Sequence, residues 1–165
     1  MILLIECIAA CLIFGTGITV SIFINRTSWL HEYPLEVQKQ YLDTHPDFCE
    51  KKEKSGNKGL IIAKIIVCLV FVALLSFMGY LAGARTFLTG FINTYIVWTV
   101  VNVFDVIALD LGIFMYWKKI RLPGTEDMDK EYTANKWHHV KEGFYGILIG
   151  LPVCLLAGLV IALLI

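Results

Sequence analysis

Residues 87–117 read FLTGFINTYIVWTVVNVFDVIALDLGIFMYW, a run of 31 residues whose only charges are Asp105 and Asp110. A helix rises about 1.5 Å per residue, so this run reaches roughly 45 Å, well beyond the roughly 30 Å of hydrocarbon in a bilayer. A strand of the same composition would leave its backbone groups unpaired in lipid. The stretch therefore predicts a transmembrane helix with one end projecting past the hydrocarbon.

Three more apolar runs, 1–24, 60–84 and 144–165, approach or exceed the roughly 20 residues that a span requires. The expected fold is all-α: a polytopic membrane protein with four transmembrane helices in an antiparallel bundle, one membrane domain over 1–165. Its long loops fall at 25–59 and 118–143. Hydrophobic residues make up 58% of the chain and charged residues 17%, more apolar surface than a soluble domain of 165 residues can hide. Fourteen basic residues balance fourteen acidic ones, so nothing calls for nucleic acid. The bilayer is the expected partner.

Where the charges sit sets the orientation. Residues 25–58 hold six Lys or Arg and residues 118–142 hold six more, whereas Arg85 stands alone between the second and third runs. The positive-inside rule then places both long loops in the cytoplasm and both termini outside, as in a multi-pass protein of the cell (plasma) membrane. Trp29, Tyr33, Tyr116, Trp117, Phe144 and Tyr145 cluster at the same boundary, where aromatic rings anchor helices.

In the first loop, Pro34 suits the start of a short helix bearing Leu35, Tyr41 and Leu42 on one side, ended by His45-Pro46, and such a helix can lie on the inner leaflet. Residues 50–58 are a charged, solvated linker. In the second loop Pro123-Gly124 marks a turn and Thr125 or Asp129 can cap. Residues 129–142 read as a cytoplasmic extension of the fourth helix.

Five cysteines, an odd number with no C-x-x-C pair, read as packing residues. Gly146, Gly150, Cys154 and Gly158 recur every fourth residue, with Pro152 between them. Small residues at that spacing let helices approach closely, inside one chain or in a homo-oligomer. Gly79 and Gly83 form a shorter stripe of the same kind.

Charged groups inside spans are expensive and mark sites or ion pairs. Glu6 is isolated near the outer end and reads as a snorkelling or hydrated carboxylate. Lys64 enters the second span from the same side as Asp105 and Asp110 lie on the third, so an ion pair with either is expected. Asn102, Asp105 and Leu109 share a face that can point inward.

The stretch 124–143 concentrates the other candidates, Glu126, Asp127, Asp129, Glu131, Tyr132, His138, His139 and Glu142. Helical spacing puts Tyr132, Lys136, His139 and Gly143 on one face and Glu131, His138 and Glu142 on another. Candidate catalytic residues are therefore Asp105, Asp110, Glu126, Tyr132, His138 and His139. His139 with Tyr132 suits general acid–base work. His138 and Glu142, with Glu126 or Asp110, offer metal donors, but neither the two-histidine zinc signature nor a di-iron histidine set occurs, so metal and cofactor stay unassigned.

No phosphate-binding glycine loop, acyl-transfer triad or dinucleotide fingerprint is present. Three functions fit: an enzyme acting on a lipid or other amphiphile at the inner leaflet, a small homo-oligomeric transporter or channel protomer, or an accessory membrane subunit. An enclosed pocket at the loop side favours the first, a continuous polar path the second, and an open charged groove the third.

Overall fold

The protein is described from a computed structural model covering residues 1–46, 57–134 and 136–164. Four long helices carry the fold: α1 (Ile2–Ile24), α3 (Asn57–Leu81), α4 (Phe87–Phe104) and α6 (Lys136–Leu163). Each is long and apolar enough to cross a membrane, the third through a continuation of α4 to Phe114. Large apolar side chains such as Ile66, Leu69, Leu88 and Leu148 stay exposed on their outer faces. In water that surface would aggregate, whereas in lipid it is the solvated face. Short elements sit between the spans: a broken 3-10 stretch (Arg26–Glu32), α2 (Leu35–Thr44), a 3-10 turn (Lys118–Ile120) and α5 (Asp129–Ala134). Most of the linker expected at 50–58, together with Cys49 and residue 135, lies outside the described residues.

The tightest seam joins α4 to α6, and the small-residue stripe makes it. A Cβ added at Gly158 would stand 2.9 Å from Phe87 O and from Phe91 N, both backbone atoms. Gly150 faces the Trp98 indole, and Gly146 faces Asn102. Trp98 Nε1 donates to Gly146 O at 3.0 Å, so the ring is pinned across the seam. The stripe is thus occupied within the chain, and a homo-oligomer would need another face. Ser76 adds a tie from α3 to α6, donating to Ala157 O at 3.3 Å.

Gly79 belongs to this packing, close to Ile161 and Asn93, but Gly83 does not. Gly83 has φ +94°, the left-handed conformation that ends a helix. Ala84 N donates to Gly79 O at 3.0 Å and Gly83 N to Tyr80 O at 3.1 Å, the paired bonds of a Schellman cap. Thr86 and Thr89 then form a capping box that starts α4. The short turn between α3 and α4 is fully specified by local chemistry.

At the opposite end the loops build a cap with its own core of Leu30, Tyr33, Val37, Tyr41, Leu122 and Tyr132, packed under Ile22 and Phe114. The first-loop helix buries Val37 and Tyr41 and leaves Leu35 exposed, so its inner side meets the second loop and differs from the face expected to lie on lipid. Arg121, itself buried, pairs with Asp129, donates to Glu126 O at 2.5 Å and lies over the Tyr132 ring. The guanidinium beside Asp129, helped by Lys118, holds that carboxyl below its ordinary range.

Candidate functional site

Beneath the cap, the third span changes its winding. From Asp105 to Phe114 the helix is π, with hydrogen bonds five residues apart. Residues five apart on an α-helix diverge by about 140°, because each residue turns about 100°. The π winding instead brings them toward one face, and Asp105 and Asp110 come to line one cavity of about 230 Å³. Its walls also include Asn102 of α4, Glu32 at the end of the first 3-10 stretch, and Glu142 of α6. Phe14, Trp29 and Phe114 supply aromatic surface. Trp29 is fixed there by a 3.0 Å bond from Nε1 to Ser21 Oγ.

Each of three carboxylates in this wall has an imidazole beside it. His31 Nε2 lies 3.0 Å from Glu32, His138 Nε2 3.1 Å from Glu142, and His139 Nδ1 3.6 Å from Asp110. The last pair is the buried one: His139 is 5% exposed, while His138 is exposed. At 3.6 Å the His139–Asp110 contact is within ion-pair distance for a protonated imidazole but too long for a hydrogen bond, and buried Nδ1 has no hydrogen-bond partner among the described residues. Burial pushes the Glu32 carboxyl above its ordinary range, and nearby Asp110 and Glu142 add to that while His31 and His139 oppose it.

Directly beside the polar cavity lies an apolar cleft of about 340 Å³ between α1, α3 and α4. Ile13, Phe71, Leu74, Met78, Trp98 and Val101 are among its walls. Phe14, Asn102 and Asp105 line both spaces, so Asp105 stands where the polar chamber meets the apolar one.

The sequence candidates therefore divide. Asp105 and Asp110 line one chamber, His139 stands behind its wall against Asp110, and His138 touches the wall residue Glu142. Of the face expected to carry Tyr132, Lys136, His139 and Gly143, Tyr132 and His139 are buried, Gly143 is half-buried and Lys136 is exposed. Of the other face, His138 and Glu142 are exposed and Glu131 is half-buried. Tyr132 is nonetheless spent on the cap, its hydroxyl 2.8 Å from Thr125 Oγ1 and accepting from Leu122 N at 3.2 Å. Burial raises its phenol above the ordinary value. The Glu126 side chain is exposed, and its part in the fold is the carbonyl that receives Arg121. No group of three or more potential metal ligands assembles among the described residues.

Two expected charge placements are corrected. Lys64 is exposed on the outer surface of α3 and makes no ion pair with Asp105 or Asp110 among the described residues, because its position in the helix turns it outward. Glu6 is buried rather than snorkelling, and Asn93 Nδ2 donates to its Oε2 at 3.0 Å, tying α1 to α4. Asn93→Leu is expected to destabilise the bundle by about 2 kcal/mol or more, since it strands a buried carboxylate. Glu6→Leu combined with Asn93→Leu should recover most of that loss in a denaturant titration in micelles. Equal damage from the double variant would mean that the pair is not coupled.

Glu32 is the wall residue that sequence reasoning passed over. Its one sequence signal is proximity to Trp29 and Tyr33 at the interface, the depth already assigned to Asp110. No protein-family profile, curated protein or solved structure matches this chain.

Proposed function

We propose that this protein is a membrane enzyme acting on an amphiphile drawn from the loop-side leaflet, which the charge bias makes the cytoplasmic one. The observation that carries the reading is the junction at Asp105: a carboxylate-lined chamber and an apolar cleft share Phe14, Asn102 and Asp105 in their walls. A head group fits the first space and a hydrocarbon chain the second. His139 and Asp110 are the acid–base pair. His139 takes a proton from the attacking group and returns it to the leaving group, while Asp110 stabilises the imidazolium between the two events. A shift of less than about 1 Å would bring the 3.6 Å separation to hydrogen-bond length in the reacting complex, where catalytic hydrogen bonds tighten.

Transport is the weaker reading. Past Asn102 the path toward the short-turn end is walled by Trp98, Val97 and Val101, so the polar lining stops about midway.

The test is labelling with a lipid that carries a photoactivatable diazirine in its acyl chain, followed by mapping of the modified peptides. Saturable label on Ile13, Phe14 and Val101 is expected. Label confined to outward residues such as Ile66 and Val103 would remove the basis for the proposal.

A further inference from the structure

We propose that the amphiphile carries a cationic head group, an amine or a quaternary ammonium, seated against Asp105 with its chain in the apolar cleft. This rests on the reading of the chamber as an amphiphile site and adds the charge of its ligand. The first support is the imbalance of the wall. Glu32, Asp105, Asp110 and Glu142 all face or rim the chamber, and no Lys or Arg is among its lining residues. Imidazoles stand beside three of these carboxylates, but Asp105 has neither a hydrogen bond nor an ion pair among the described residues. A carboxylate at membrane depth calls for a positive partner, and among the described residues the nearest positive group, the His139 imidazole, makes no hydrogen bond or ion pair with it.

A second, independent sign is His139, whose buried Nδ1 has no hydrogen-bond partner among the described residues and lies 3.6 Å from Asp110 of the chamber wall. The third is the aromatic surface. Phe14, Trp29 and Phe114 present rings to the same space, and ring faces attract ammonium groups, quaternary ones included. An anionic head group would meet four carboxylates and no guanidinium or ammonium among the described lining residues. The position of Asp105 in both linings places the charge of the ligand at the mouth of the cleft, where a single chain can continue from it.

The experiment is a fluorescence titration of the full chain in lipid nanodiscs, with Trp29 and Trp98 as reporters. The probes are dodecyltrimethylammonium, dodecyl phosphate and dodecanol, three ligands that share a chain and differ in head group. Saturable binding of the ammonium compound, at least about tenfold tighter than either of the others, is expected. Asp105→Asn should remove about that factor, and Lys64→Ala should leave it in place. Equal binding of all three probes would overturn the cationic assignment and leave the amphiphile site standing. A fluorescence response to sodium or magnesium salts with no saturable response to any dodecyl probe would overturn both. The head-group ranking of the unaltered protein decides the matter even if Asp105→Asn does not fold.

Discussion

Gly158→Leu will unfold or dissociate the helix bundle, at a cost of about 3 kcal/mol or more. The reason lies in what the new side chain would meet. At position 158 even a Cβ comes within 2.9 Å of Phe87 O and Phe91 N, backbone atoms of the first turn of α4. A backbone cannot rotate out of the way, so α4 and α6 must separate along the seam that holds the bundle together. Between lipid-exposed helices the loss is not offset by any hydrophobic drive to re-pack, because lipid solvates the separated faces equally well. Gly150→Leu meets the Trp98 ring instead, a side chain that can swing aside by giving up its bond to Gly146 O. Its cost should be smaller. Gly17→Leu is the control, since nothing lies within 4 Å of a Cβ there. Thermal unfolding in micelles should rank the three variants as Gly158, Gly150 and Gly17 from most to least damaging. A Gly17 variant as unstable as the Gly158 variant would show that added bulk, and not the seam, is responsible.

The bundle was legible because the lipid constraint acts on each span separately. A run such as 87–117 has to be a helix whatever its neighbours do, and four such runs fix the architecture. The stripe from Gly146 to Gly158 was legible for a similar reason: spacing by four defines one face of one helix. What spacing does not state is which neighbour that face meets. Gly83 shows the limit from the other side, because a glycine four residues after Gly79 looks like a stripe and serves as a helix terminus.

The site was legible only where α-helical geometry holds. Ordinary periodicity puts His139 and Tyr132 on one face, and both are buried, although Lys136 of the same face is exposed. Asp105 and Asp110 could not be placed together that way, since α winding turns them apart and only the π segment aligns them. Hydropathy carries no signal for a change of winding inside an apolar run. Lys64 was assigned by depth alone, and depth leaves the rotation of a helix free. Glu32 comes from a loop whose path depends on the cap core around Tyr33 and Tyr132, a tertiary fact with no local pattern.

Asp110→Asn and His139→Gln are each expected to lower turnover by at least about 100-fold while leaving the unfolding temperature close to that of the parent protein. Conversion can be followed by mass spectrometry of lipid extracts incubated with each variant. Both replacements keep side-chain size, so the packing of the π segment against α6 survives, and what is lost is the pair that exchanges and stabilises a proton. The two variants should also fail together: once either partner is gone, removing the other adds little, as for groups that act as one unit. His138→Gln separates the two neighbouring imidazoles. His138 is exposed and turned toward Glu142, so its loss should cost little, whereas buried His139 is held against Asp110. Glu126→Gln should likewise be silent, because the contact that matters to the cap is made by the Glu126 carbonyl. Full activity in the His139 variant with loss in the His138 variant would move the chemistry to the exposed face of α6 and away from the chamber.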